Sequence, residues 1–258
     1  MALGRPGSPA IENVEKIDLE IEEAELTEAL PPCDWIIHLA QSSNYRDFPN
    51  SAEDIFNVNT KLAFRLLEFA RKTDVKSFTF ASTGSIYGGL SEGCKEREFV
   101  QPADFYSCSK LAAEVLSKAY ISFFPVQNLR LFFPYGPDQT NRLIPSLIDR
   151  IREGNPVTLQ GDEGGMLFCP THVVDIAKII ATATEGSWND TFNVASDELL
   201  SMENVAGTIA KELQVELAIV REENKIPPVF SPSIASLREK LPDFNFIAFE
   251  QGVKALVA

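Results

Sequence analysis

The sequence predicts an α/β fold: a doubly wound parallel sheet with a smaller C-terminal lobe. Three observations predict it. Short apolar runs rich in β-formers alternate with long helical stretches through the first half, which argues a parallel sheet covered by helices on both faces. Beyond Pro137 the alternation loosens into helices and one last strand. With 258 residues, 45% of them hydrophobic, the chain can bury a full core.

The first element to justify is the opening MALGRPGSPA, where Gly4, Gly7 and Ala10 fall at the spacing of a dinucleotide-binding loop. A phosphate loop must follow a buried strand and open a helix, because the helix N-terminus supplies the amides that hold the anion. Only three residues precede Gly4, and Pro6 and Pro9 stand where the helix would begin, so the stretch is expected to be a turn after a strand. The runs DWIIHLA (34–40), SFTFAS (77–82) and NLRLFF (128–133) read as strands. The stretch from Asn50 to Thr73 and that from Ala103 to Phe124 read as helices. In the second half, RLIPSLIDRIREGNPV reads as a helix ended by Gly154, and THVVDIAKIIATATE as one entered near Asp175. SMENVAGTIAKEL is a third, with Ser201 as N-cap, and TFNVAS is the last strand.

Charge and thiols narrow the setting. A net charge of −14 repels phosphate backbones and anionic lipid, so neither nucleic acid nor a membrane surface is expected as partner. No apolar run approaches the ~20 residues that span a bilayer, and the N-terminus lacks the order of a signal peptide. Cys33, Cys94, Cys108 and Cys169 are scattered, and His38 and His172 are the only histidines, so neither a metal site nor a disulfide framework is expected. A cytoplasmic protein with reduced thiols is the expectation. Trp35 and Trp188 read as core or lobe-packing residues.

The chemistry lies in YSCSK, where Tyr106 and Lys110 stand four residues apart and so on one helical face. Spacing alone is also what an amphipathic helix with an incidental tyrosine and lysine gives. The preceding strand ends in FASTGSIYGG and offers Thr83 at its carboxyl end, where open α/β sheets bind ligands. HLA ends the strand before it, and Asn59 sits in the helix between.

These stretches, with CDWIIHLA, NTKLAFRLLEFAR, NLRLFFPYGP and PTHVVDIAKII, make the sequence resemble the extended short-chain dehydrogenase/reductases, the NAD-dependent epimerase/dehydratase family. The resemblance implies a Rossmann-like sheet, with residues 1–137 as the dinucleotide-binding domain and 138–258 as the substrate lobe. It sets ALGRPG at the end of the family's second strand and VEKIDLE at its third. The expectation is therefore that the first strand, glycine loop and first helix are missing, and that NAD or NADP binds weakly. Cofactor contacts are implied for Arg5, Asp18, Leu19, Leu39, Ala40, Gln41, Asn59, Ala81, Tyr106, Lys110 and Pro134, with Arg5 placed to favour NADP.

The resemblance also implies a mechanism. Tyr106 as phenolate takes a proton from a sugar hydroxyl, Thr83 hydrogen-bonds the reacting oxygen, and Lys110 holds the nicotinamide ribose and favours the phenolate. Bringing a phenol from about 10 to ~7 takes about 4 kcal/mol. Substrate contacts are implied for Thr83, Ser85, Phe133 and Arg142. Gly84 and Ser85 stand where family dehydratases carry an acid pair, which argues against 4,6-dehydration. Phe133 and Leu167 stand where members acting on nucleotide sugars carry a diphosphate-holding Asn and Arg. The implied activity is an epimerase or reductase acting on a sugar or nucleotide sugar; a non-catalytic member that binds a small ligand in the same cleft is the alternative. A homodimer through a four-helix bundle is implied for the helices at 50–73 and 103–124, with Phe56, Leu62, Leu66, Leu111 and Val115 in the sheet-facing and partner-facing stripes. His172 is expected to be structural.

Overall fold

The computed structural model describes residues 1–4, 11–18, 26–89, 92–161, 164–223 and 225–257. The chain divides into two compact units. One comprises Met1–Ala81, Asp104–Gln127 and Thr184–Asn189; the other comprises Ser82–Ala103, Asn128–Ala183 and Asp190–Ala258.

In the first unit β1 (Ala2–Gly4) pairs in parallel with β2 (Lys16–Asp18), Gly4 opposite Asp18. After the short α1 (Leu26–Ala29), β3 (Trp35–His38) pairs in parallel with β4 (Ser77–Thr83), His38 opposite Phe80. Ile36 and His38 point inward on β3 while Trp35 and Ile37 point outward. Trp35 is thus 45% exposed rather than a core residue, and Lys76 reaches across its ring. Strand side chains alternate between faces, so Trp35 and Ile36 cannot share one.

The connection from β3 to β4 is helical but not the single helix expected from Asn50. It is α2 (Ala52–Phe56), a π-helical turn (Asn57–Lys61) and α3 (Leu62–Lys72). A π turn takes in an extra residue, which here lets three consecutive side chains, Val58, Asn59 and Thr60, be buried. On α3, Leu62, Ala63, Leu66, Leu67, Phe69 and Ala70 follow the helical period and join Phe78 and Phe80 in the core of this unit.

The helix α4 (Phe105–Lys118) begins where a capping box dictates. Asp104 Oδ1 accepts the Ser107 N–H at 2.7 Å, and Ser107 Oγ accepts the Asp104 N–H at 3.2 Å. It ends at Lys118, short of the expected Phe124. Phe124 precedes Pro125, a position biased away from helix, and the rings of Phe123 and Phe124 lie against Tyr120.

The second unit takes the end of β4 and most of β5 (Val126–Leu131). It continues with β6 (Pro134–Tyr135), α5 (Leu143–Arg152), β7 (Val157–Gln160), β8 (Leu167–Phe168), β9 (Thr171–His172), α6 (Val173–Glu185) and β10 (Thr191–Val194). Then follow β11 (Leu200–Ser201), α7 (Met202–Leu213), β12 (Ile219–Glu222), β13 (Val229–Phe230), α8 (Ala235–Lys240) and α9 (Phe249–Val257). Here β5 and β10 pair in parallel from Asn128 opposite Thr191. Gly154 follows α5 at φ +73°, as a terminator should, and Ser201 Oγ caps α7 by accepting the Asn204 N–H at 3.0 Å. Helix α6 begins at Val173, two residues before Asp175. A separate core forms around Tyr135, Ile148, Phe168, Val205 and Phe249.

The fold is therefore α/β with parallel strand pairs. Among the described residues, no helix is long and apolar enough to cross a membrane.

Candidate active site

In the first unit, α4 carries Tyr106 in its first turn, where the helix dipole is positive, and Lys110 one turn later. The lysine is 2% exposed. Its Nζ donates to the carbonyl oxygens of Ala40 at 3.2 Å and Ala81 at 3.0 Å, and lies 4.8 Å from the centroid of the Phe80 ring. Burial pushes its pKa down to about 7, because a desolvated ammonium is the costlier form. The carbonyls and the ring recover part of that cost.

Tyr106 is half-buried. Its O–H donates to Gln41 Oε1 at 3.1 Å, and its ring meets Tyr45 at 5.0 Å between centroids. The loop after β3 that supplies Gln41 and Tyr45 is fixed by Asn59, which is wholly buried. Asn59 Oδ1 accepts the Ser42 N–H at 3.2 Å, and its Nδ2 donates to Ser109 Oγ at 2.9 Å, so the π turn, the loop and α4 share one carboxamide. Thr60 Oγ1 adds a bond to the Ser109 carbonyl at 2.9 Å. Of the other expected cofactor contacts, Leu39 and Ala40 are exposed past the end of β3 and Ala81 is buried. Asp18 ends β2 opposite Gly4. Arg5 and Leu19 lie outside the described residues.

His38 is buried at 3% exposure against Phe80, and its pKa is pushed down to about 3, by burial first and the Lys110 charge second. A pKa that low favours the neutral imidazole across the physiological range. His38, Ser109 and Tyr45 were not expected at the site. The signal for Ser109 was available, since it stands three residues after Tyr106 and directly before Lys110, on the same stretch of helix surface.

In the second unit, Thr83 ends β4 at 8% exposure and opens a 3₁₀ turn over Gly84–Tyr87. Its Oγ1 accepts the Ser85 N–H at 3.2 Å, and Ser85 itself is exposed. A side chain on Gly84 would meet the Phe132 ring at 2.4 Å, so this position has no room for a carboxylate. Phe133 sits at φ +39° with its ring against Phe168 and Phe230 at 4.8 and 5.3 Å. Pro134 opens β6 and is exposed, and Arg142 is the N-cap residue of α5. His172 Nδ1 accepts the Val174 N–H at 3.2 Å, its ring stands edge-on to Tyr135, and burial pushes its pKa down. These contacts assign it a packing role. Among the described residues, no group of His, Cys, Asp and Glu is arranged to hold a metal ion.

Comparison with known proteins adds to this geometry. Residues 4–195 match the NAD dependent epimerase/dehydratase family. An uncharacterized UDP-glucose epimerase, YtcB, of Bacillus subtilis (strain 168) is 32% identical over 193 residues, which cover 72% of this chain and 60% of that protein. A dTDP-glucose 4,6-dehydratase of Streptomyces griseus is 31% identical over 181 residues, 68% of this chain and 55% of that one. The chain thus spans less than two thirds of the length of these curated relatives. Among solved structures, UDP-glucuronic acid 4-epimerase from Bacillus cereus, in complex with UDP-glucuronic acid and NAD, superposes with a TM-score of 0.81 at 22% identity, covering 93% of this chain and 79% of that one. At that identity the likeness shows the fold alone, a Rossmann-like α/β architecture.

Proposed function

This chain belongs to the NAD dependent epimerase/dehydratase family, and we propose that it acts as an NAD(P)-dependent epimerase or reductase on a hydroxyl or keto group of a sugar or nucleotide sugar. The observation that carries the reading is Tyr106 and Lys110 one turn apart on α4, the lysine buried and held on the carbonyls of Ala40 and Ala81.

The residues present suit the nicotinamide end of a dinucleotide. Leu39 and Ala40 are exposed just past the carboxyl end of a parallel strand, where such folds receive cofactor, and a buried ammonium anchored on Ala40 lies beside them. Leu39, Ala40, Gln41, Ala81 and Lys110 would hold that end, with Asp18 and Pro134 as further contacts; Asn59, expected as a contact, is wholly buried and instead holds the loop that carries Gln41. NAD, when bound, supplies the hydride-accepting chemistry. Tyr106 Oη takes the proton of the substrate hydroxyl and returns it on reduction; Thr83 donates to the reacting oxygen. The Lys110 ammonium favours the phenolate by its charge. Ser85, Phe133 and Arg142 are the substrate contacts. Dehydration is not proposed, because Gly84 and Ser85 carry no carboxyl. The division into a dinucleotide-binding part at 1–137 and a substrate lobe at 138–258, and the cytoplasmic setting suggested by four free thiols, belong to the same reading.

The test is turnover of a panel of sugars and nucleotide sugars with NAD or NADP, followed by NMR of the products. Tyr106→Phe keeps the ring and removes the hydroxyl, so turnover should fall by ~10²-fold or more. Lys110→Met should weaken cofactor binding as well, and Thr83→Val should be severe where Thr83→Ser is mild. Unchanged turnover in Tyr106→Phe overturns the assignment in favour of a non-catalytic, ligand-binding member. The 258-residue chain is expected to bind NAD and NADP only weakly, at high micromolar or above, since Pro6 and Pro9 deny the Gly4–Ala10 stretch the helix amides of a phosphate loop; submicromolar binding by calorimetry would refute this.

A further inference from the structure

The carboxamide of Gln41 has its two ends in unlike surroundings. Its Oε1 accepts the Tyr106 O–H at 3.1 Å, whereas its Nε2 is buried and has no hydrogen-bond partner among the described residues. A buried donor left unpaired carries its full desolvation cost, so this orientation has something to hold it. An amide oxygen can only accept, and the pairing therefore keeps the proton on the phenol. It does not suit a phenolate, whose oxygen needs donors. Half a rotation about χ3 exchanges the two ends and points an N–H at the phenolate, and that torsion is soft and nearly two-fold. The backbone need not move. Lys110 is anchored on two carbonyls and Tyr45 meets Tyr106 ring to ring, so neither offers this exchange.

We propose that Gln41 is a positioning residue for Tyr106 that follows its protonation state, Oε1 facing the phenol and Nε2 facing the phenolate. As a device of catalysis this rests on the role given to Tyr106 above; as a pairing it does not. The charged and titratable groups on the elements around Tyr106 are Asp104, Cys108, Lys110, Glu114 and Lys118 at the start of or on α4, His38 on β3, Tyr45, Arg46 and Asp47 in the following loop, Glu53 and Asp54 on α2 and Lys61 on the π turn. All are retained in the variants below, so a shift on substitution reports Gln41.

The experiment is an ultraviolet titration of tyrosinate formation in the whole 258-residue chain, with the Tyr106 curve taken as the difference from Tyr106→Phe. Gln41→Met removes both ends of the amide at similar length. Gln41→Glu keeps the shape but can only accept, and adds a like charge. The Tyr106 midpoint should rise by about one pH unit in Gln41→Met and further in Gln41→Glu. A midpoint that is unchanged or lower in Gln41→Met overturns the proposal, and that variant decides if circular dichroism finds Gln41→Glu unfolded. Should the midpoints rise while Tyr106→Phe keeps full turnover, the pairing stands and the catalytic reading of Tyr106 fails.

Discussion

At the scale of single residues, burial decides charge. His38 and Lys110 lie in one interior and each is driven toward its neutral form, the histidine to about 3 and the lysine to about 7. For the histidine the consequence is an acid limb of stability. The folded pKa lies below the unfolded value near 6.5, so the unfolded chain binds the extra proton between the two. The stabilising effect of keeping His38 neutral is complete above about pH 6.5 and is lost as pH falls toward about 3. Urea unfolding at pH 7 and pH 4.5 should therefore show a smaller loss in His38→Leu than in the unsubstituted chain, by up to about 3 kcal/mol. Equal losses would mean that His38 is protonated in the fold. Neither position is singled out by its residue type; what sets them apart is the alternation of β3 and the burial around α4.

At the scale of elements, α4 reverses the usual rule for amphipathic helices. Its buried face carries Ser107, Ser109, Lys110 and Glu114, while Val115 and Leu116 are exposed at 59% and 38%. Burying hydroxyls and an ammonium is tolerable because each of Ser109 and Lys110 finds a hydrogen-bond partner. The helix start depends on Asp104, which supplies an acceptor to the first-turn amide of Ser107. Asp104→Ala should cost about 1 kcal/mol in chemical unfolding, and it should loosen the first turn that holds Tyr106. No loss of stability would place the helix start under the control of the surrounding packing instead. Helix existence was legible from periodicity in both α3 and α4. The π turn between α2 and α3 was not, because it arises where three consecutive residues are buried, which no periodic pattern encodes.

At the scale of the whole molecule, exposed apolar residues on the helical elements of the first unit point outward from its own core. Phe56, Phe64, Val115 and Leu116 are each more than a third exposed, whereas Leu62 and Leu66 are buried. The proposal of a homodimer through a four-helix bundle assigns the exposed set to the partner, an arrangement that would remove their apolar area from water. Light scattering at micromolar concentration should give twice the mass of 28.5 kDa, and Val115→Glu should yield monomer. A monomeric unsubstituted chain would remove the proposal.

By itself the sequence determined the Ser201 cap, the stop at Gly154 and the spacing that aligns Tyr106 with Lys110, since each depends on neighbours a few residues apart, and the α/β class, which the alternation of strand and helix stretches encodes. The tertiary structure alone decided that Trp35 faces outward, that α4 buries its polar side, that one Asn59 amide joins three segments, and that Gln41 meets Tyr106. Those features join residues up to 70 positions apart in the chain. Their energies come from desolvation and hydrogen bonding in a shared interior, which exists only once the segments have come together.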